Sequence, residues 1–334
     1  MRVLVTGGTG FIGYHTARRL ADAGHTVRLL VRNEEKARQL YGDELPEMAL
    51  SDIADQDGVK RALDGCDAVI HTAAMVSVDP RDADVVYRTN TEGTCNVIGQ
   101  AVDMGIQRIS HVSSVTAIFD ESATLLNEDS PPGTASNAYG RSKVDSERYV
   151  RELQAQGAPI VITYPASVIG PEDPALTEPH VGLITNLYAT FMMPGGNQWV
   201  DVRDIAAAQV TIIENDLAPA RYCLGGHFLS WRELGAVLGE LTGRRLLPLP
   251  LFGVTMRSLG RVMDVVQPML GTDTPITYEA MVYATRWVNL DNTKAERELG
   301  LTFRPVHDSI RDALVSLCER GELGPRLAGK LAAK

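Results

Sequence analysis

Three side chains near the middle of the chain have the types and spacing of a proton-transfer site. Tyr139 and Lys143 fall in Ser136-Asn137-Ala138-Tyr139-Gly140-Arg141-Ser142-Lys143, and at i and i+4 of a helix they share one face about a turn apart. The pair Ser113-Ser114 precedes them, closing the run Ile109 to Ser113. A free phenol, with a pKa of about 10, is a poor base at neutral pH, and a nearby ammonium favours its phenolate. A shift of roughly 3 units corresponds to about 4 kcal/mol of differential stabilisation. A serine hydroxyl at the reacting oxygen stabilises charge that develops there. Neighbouring residues of a strand point opposite ways, so only one of the two serines should reach the site. Helix pairs with the Tyr139–Lys143 spacing are common, and position in the chain is what gives this one meaning.

The elements that must hold these groups begin at the first residue. Val3 to Val5 reads as a buried parallel strand, and Phe11 to Ala23 as a helix. Between them lie glycines that fit two spellings, Gly7/Gly10/Gly13 and Gly8/Gly10/Gly13. Glycine lets the backbone turn and approach a ligand closely, and the new helix presents free N–H groups to a phosphate. A strand–glycine–helix sequence of this kind predicts a dinucleotide site. Thr26 to Val31 is the second strand, followed by Arg32 where an NAD site usually places a carboxylate, with Lys36 and Arg38 further on. A guanidinium there suits a 2′-phosphate, so NADP is expected and NAD is the alternative.

A weaker strand covers Glu47 to Leu50. Asp52 after it either accepts from an adenine amino group or caps the helix starting near Asp55. Ala68 to His71 opens into Thr72-Ala73-Ala74, small residues that let backbone pass under a ribose. A helix is predicted from Ala83 to Met104, containing Asn90, which is either tolerated there or special. Further strands are expected at Ile109 to Ser113, Pro159 to Tyr164 and Arg221 to Leu224.

Composition limits the alternatives. The 334 residues are 44% apolar and 22% charged, ordinary for a globular chain. A net charge of −10 argues against nucleic acid as partner. Cys66, Cys95, Cys223 and Cys318 lie far apart without CxxC spacing, so neither a metal site nor a disulfide framework is expected. No apolar run approaches the roughly 20 residues that span a bilayer, and no signal-like start is seen. A cytoplasmic location is expected.

Thr6-Gly7-Gly8-Thr9-Gly10-Phe11-Ile12-Gly13, the Ser-Ser pair and Tyr139-x-x-x-Lys143 resemble the extended short-chain dehydrogenase/reductase family. The branch it resembles holds nucleotide-sugar epimerases, dihydroflavonol reductases and 3β-hydroxysteroid dehydrogenases. Tyr164-Pro165-Ala166-Ser167-Val168, Trp199 to Ala206 and Asn289 to Ala295 extend the match over nearly the whole chain. Tyr164 departs from the pattern, which usually has Arg before Pro165, so any contact that Arg makes is open here. The resemblance implies Tyr139 as acid/base, Lys143 as its tuner and ribose donor, and Ser114 rather than Ser113 as the catalytic serine. It implies cofactor contacts from Thr6, Gly7, Gly10, Phe11, Ile12, Gly13, Arg32, Asp52, Ile53, Thr72, Ala73, Ala74, Tyr139, Lys143, Pro165, Ser167 and Val168. A homodimer through the 83–104 and 139–156 helices is likewise implied.

The fold expected is α/β: a doubly wound Rossmann parallel sheet with a smaller C-terminal α/β substrate lobe. Residues 1–165 with about 199–225 would bind the cofactor, and about 166–198 with 226–334 the substrate. Leu183, Ile184, Leu187, Tyr188, Phe191, Met192 and Met193, with the amphipathic stretch Leu251 to Leu270, suggest either ordinary core or a greasy mouth. The leading expectation is an NADP-dependent carbonyl reductase or alcohol dehydrogenase acting on a bulky apolar small molecule. The alternatives are an NAD-dependent nucleotide-sugar epimerase or dehydratase, and a non-catalytic NAD(P)-sensing protein.

Overall fold

The computed structural model describes residues 1–76, 80–215, 217–270 and 276–333. Its strands are β1 Arg2–Thr6, β2 Thr26–Val31, β3 Glu47–Leu50, β4 Ala68–His71, β5 Arg108–Val112, β6 Ile160–Pro165, β7 Ser167–Ile169, β8 Thr190–Met192, β9 Gly196–Asp201, β10 Ala220–Leu224, β11 His227–Ser230 and β12 Pro248–Pro250. Seven of these form one parallel sheet in the order β10-β6-β5-β4-β1-β2-β3. The chain builds outward from β1 through β2 and β3, then crosses back to β4 and continues the other way. The order therefore reverses at the β1–β4 junction, the place where open α/β sheets bind ligands beyond their carboxyl ends. Because all seven strands are parallel, the segments that leave them emerge along one edge.

The helices are α1 Phe11–Asp22, α2 Glu34–Tyr41, α3 Gln56–Leu63, α4 Ala83–Thr94, α5 Gln100–Asp103, α6 Ala138–Ala155, α7 Glu178–Tyr188, α8 Val202–Glu214, α9 Trp231–Thr242, α10 Gly253–Leu270, α11 Tyr278–Thr285, α12 Thr293–Leu299, α13 Val306–Glu319 and α14 Pro325–Ala328. The sheet is covered on both faces, and β1 shows how its alternation serves that. Val3 and Val5 pack with Tyr14, Leu20, Ile205 and Ile212 under α1 and α8, whereas Leu4 packs with Val69, Ile98, Ile109 and Val150 under α4 and α6. Each fully buried side chain of this kind contributes about 1.5–3 kcal/mol relative to exposure. The single helix expected from Ala83 to Met104 is instead interrupted by a π turn at Cys95–Gly99, where Asn96 Nδ2 donates to the Ile53 carbonyl at 2.9 Å.

The rest of the chain builds the lobe. β7, β9 and β11 form a three-stranded sheet and β8 with β12 a two-stranded one, packed with α7 and α9 around a separate core. Leu183 and Leu187 are fully buried in that core with Leu234, Leu238 and Leu314. Leu183 and Leu187 are thus lobe packing, met by α9, whereas Val181 and Tyr188 of the same helix stand exposed.

Candidate active site

The glycine turn is held at the point where the sheet order reverses. Gly7 has a φ of +74°, a conformation that disfavours any Cβ. A Cβ on Gly7 would lie 2.7 Å from Thr72 Oγ1, and one on Gly13 would lie 2.2 Å from the Gly7 carbonyl oxygen. The turn is thus pressed between α1 and the loop after β4. The Thr72 hydroxyl donates to the Thr6 carbonyl at 2.7 Å and the Ala73 N–H to Thr6 Oγ1 at 3.3 Å. Gly10 begins α1 with no side-chain cap, and no acidic residue stands in the first turn. The free N–H groups and positive helix end therefore remain available to an anion. This cradle fits a dinucleotide pyrophosphate. Phe11 is buried and packs edge-on against His15 and, from the lobe, His180; Ile12 is half-buried.

Arg32 and Asp52 follow the carboxyl ends of the paired strands β2 and β3, with Arg32 Nη1 3.5 Å from Asp52 Oδ2 and the Arg32 side chain 71% exposed. Asp55, not Asp52, caps α3, accepting from Gly58 N–H at 3.1 Å. Asp52 instead accepts from Ala54 N–H at 2.9 Å. Arg38 is engaged by Glu34 within α2. Ile53 is buried over Gly93, where a Cβ would come within 2.4 Å of Ile53 Cδ1. Ala74 is half-buried and leads to Met75, which Asn90 grips from both sides: Met75 N–H donates to Asn90 Oδ1 at 2.7 Å, and Asn90 Nδ2 donates to Met75 O at 3.0 Å. Asn90 Nδ2 also donates to Ser142 Oγ at 2.9 Å. The residue therefore ties the loop under the cofactor cleft to the helix that bears Lys143.

The two serines separate as strand alternation requires. Ser113 Oγ turns inward and donates to Glu147 Oε2 at 2.7 Å. The Ser114 hydroxyl lies near enough to the Tyr139 phenol to favour its phenolate, and it accepts from Thr116 N–H at 3.1 Å. Asn137 caps α6 by accepting from Gly140 N–H at 2.7 Å, which fixes Tyr139 in the first turn. Lys143 Nζ lies 5.8 Å from the Tyr139 ring centre. Burial pushes Tyr139 up to about 12; the Ser114 hydroxyl opposes this and the Glu178 carboxylate adds to it. Burial also lowers Lys143 to about 8, against the favourable field of Glu147. At neutral pH the protein alone thus holds a protonated phenol and a charged but readily deprotonated ammonium.

Sequence reasoning missed the groups behind this pair. Tyr139, Lys143, Glu147 and Arg151 recur every four residues along α6. Glu147 is fully buried; its Oε1 accepts from Arg151 Nε at 2.6 Å and from the Tyr164 hydroxyl at 2.5 Å. Arg151 Nη2 donates to the Tyr164 hydroxyl at 2.8 Å. Tyr164, standing where the resembled pattern usually has Arg, thus shares Glu147 with Arg151 of α6. After Tyr164, Pro165 ends β6, and Ser167 and Val168 begin β7, with Ser167 Oγ accepting from Asn197 Nδ2 at 2.6 Å.

The lobe closes on the same place. Glu279 of α11 accepts from Ser136 N–H, Ser136 Oγ and Asn137 N–H at 3.0, 2.7 and 3.1 Å, just before the helix that carries Tyr139. The Tyr283 phenol lies near Thr116, and its ring lies 4.2 Å from that of Phe119, with Trp287 at 6.2 Å from the latter. An aromatic cluster packed on the sheet core therefore reaches Tyr139 through Tyr283.

Residues 3–225 match the model of the NAD dependent epimerase/dehydratase family. A putative dihydroflavonol 4-reductase of Synechocystis is 31% identical over 93% of this chain and 92% of its own length. Cinnamoyl-CoA reductase 1 of Oryza sativa subsp. japonica is 28% identical over 96% of this chain and 91% of its own. Among solved structures, the dTDP-glucose 4,6-dehydratase DesIV of Streptomyces venezuelae, with NAD and TYD bound, superposes with a TM-score of 0.75 at 26% identity, covering 97% of this chain and 99% of that one. With its Rossmann sheet and glycine cradle, the chain belongs to the NAD-dependent epimerase/dehydratase family, as an NAD(P)-dependent enzyme of the extended short-chain dehydrogenase/reductase type.

Proposed function

We propose that the protein is an NADPH-dependent carbonyl reductase acting on a bulky, largely apolar ketone or aldehyde. The observation that carries this reading is the Ser114–Tyr139 pair, in which burial keeps the phenol protonated. A carbonyl receiving a hydride needs a proton at oxygen, and Tyr139 in its acid form donates it while the Ser114 hydroxyl bonds the same oxygen. A bound reduced nicotinamide supplies the hydride. Lys143 supports the phenolate left behind and donates to a ribose hydroxyl. Thr6 to Gly13, Thr72 to Ala74 and Pro165 to Val168 hold the cofactor in this reading. Arg32 holds its 2′-phosphate, with Asp52 and Ile53 beside the adenine. Phe119, Tyr283 and Trp287 support an apolar substrate surface.

Residues 1–165 with 199–225 form the cofactor part and the rest the substrate part. A cytoplasmic homodimer through the outer faces of α4 and α6 completes the proposal; light scattering measures the mass. Tyr139→Phe is expected to abolish NADPH-linked turnover on a ketone panel while NADPH still raises the melting temperature. Retained turnover refutes the assignment.

A nucleotide-sugar epimerase or dehydratase that keeps NAD bound is the second reading, favoured by the family model and the DesIV likeness. Against it, no Lys or Arg occurs between Arg151 and Arg203, the stretch that crosses into the lobe. A diphosphate would want such a cation. NAD retained through purification and a melting shift with UDP-sugars would favour this reading.

A further inference from the structure

The outer surface of the lobe carries a basic, apolar patch that the active site does not use. From Leu241 to Met263 the chain has no Asp or Glu but has Arg244, Arg245, Arg257 and Arg261, in a protein whose net charge is −10. Large apolar side chains stand in solvent along this segment and just past it: Leu247 is 70% exposed, Phe252 78%, Val254 69%, Val262 56% and Val265 64%; Asp264, between the last two, accepts from the Tyr278 N–H. The helical period puts Val254, Val262 and Val265 within one arc of α10, and Arg261 falls beside them. The opposite face is pinned: Gly253, Gly260 and Gln267 are buried, and a Cβ on Gly260 would lie 2.7 Å from the Thr277 carbonyl. Arg261 stacks 4.4 Å above the Tyr278 ring of α11, and Arg257 bonds Thr285. No described helix is long and apolar enough to cross a membrane.

We propose that this face binds an anionic phospholipid surface. Phe252 and the α10 valines enter the interface, and Arg245 and Arg261 meet the headgroups. An apolar patch this exposed calls for a cover, and its charge decides which one. A second copy docked by the same face would set two net-positive surfaces against each other, with no Asp or Glu between Leu241 and Met263 to offset the arginines. An anionic bilayer satisfies both the arginines and the apolar side chains. The proposal does not rest on the reaction above, and its test reads binding alone.

The test is co-sedimentation of the full chain with vesicles of phosphatidylcholine alone or with phosphatidylglycerol added. Two exposed arginines near an anionic surface give roughly 30-fold stronger partitioning to the second kind, and added salt should release the protein. Phe252→Ser with Val262→Ser should lower binding on both. Arg245→Glu with Arg261→Glu should remove the preference for phosphatidylglycerol while the apolar side chains remain. Melting curves show that each variant is folded. Absence of binding to either vesicle, or equal binding to both, overturns the proposal. So does a dimer that Phe252→Ser/Val262→Ser dissociates, which would make the patch an interface between copies.

Discussion

Replacing Glu147 by glutamine keeps the shape of a fully buried side chain and removes only its charge. Arg151 can only donate, so the amide oxygen must face Arg151 and Tyr164, and the NH2 must face Ser113, whose hydroxyl can turn to accept. The hydrogen bonds survive, and the loss is electrostatic. The Arg151 side chain, 15% exposed, is left without its counterion. Removing one partner of a buried ion pair costs about 3–5 kcal/mol. Arg151 keeps some solvent and the Ser130 carbonyl at 2.9 Å, which favours the lower end. At roughly 2 °C per kcal/mol for a chain of this size, the melting temperature should fall by about 6 °C. Glu147→Gln/Arg151→Met removes both charges and should be more stable than Glu147→Gln alone, with at least about 1 kcal/mol of non-additivity.

The second readout is catalytic. Burial lowers Lys143 to about 8 and Glu147 opposes that lowering. Without the anion Lys143 loses its proton at lower pH, so the alkaline limb of NADPH-linked turnover should move toward neutrality. A Glu147→Gln protein that melts within about 1 °C of the native one and keeps its alkaline limb would refute the reasoning, since even the weakest one-sided loss of a buried pair exceeds that.

Ser114→Ala should lower kcat by about 10²–10³ through loss of a donor to the developing oxyanion, whereas Ser113→Ala should spare kcat and lower the melting temperature; the reverse pattern in steady-state kinetics would exchange the two roles. Arg32→Ala should raise KM for NADPH roughly 10–100-fold with little change for NADH, as loss of a charge-assisted bond requires; equal changes would rule out a 2′-phosphate contact. His71 and His111 stack at 5.6 Å in the sheet. Burial, reinforced by Lys143, lowers His71 to about 3; burial also lowers His111, with His71 and Lys143 adding to it. Both folded-state values lie below the unfolded one of about 6.5, so the unfolded chain binds more protons, and stability should be lost as pH falls from 6.5 toward 3. Both ring nitrogens of His111 lack a partner among the described residues. His111→Leu should therefore match or exceed native stability at pH 7 and flatten the acid slope in melting scans; a steeper slope would contradict this.

How much of this the sequence discloses depends on how local the physics is. The glycine turn is legible because Gly7 needs a positive φ and Gly13 a missing Cβ, both set by residues within a few positions. The Tyr139–Lys143 spacing is legible for the same reason. Asn90 is not, because its meaning comes from Met75 and from Ser142, 52 residues away. Nor is Glu147, whose partners arrive from β5 and β6, although one clue was available. Titratable groups at 139, 143, 147 and 151 mark a helix face that must be buried if Tyr139 and Lys143 are to meet a cofactor. Asp52 and Asp55 look equally able to cap, and only the start of α3 distinguishes them. For Leu183 and Leu187, amphipathicity announces a buried face without saying what buries it, and here α9 does.

The arrangement of α6 shows why a two-part chain can position one proton. Its first turn is fixed from the lobe, where Glu279 holds Ser136 and Asn137. Its second turn is fixed from the cofactor side, where Asn90 holds Ser142. Its third turn is fixed from the sheet, where Ser113 and Tyr164 hold Glu147. Tyr139 and Lys143 lie between these anchors, so their separation depends on the lobe as well as on the sheet. The seating of the lobe and the alignment of the acid are in that sense linked: a change that loosens Glu279 acts on the proton without touching the glycine cradle.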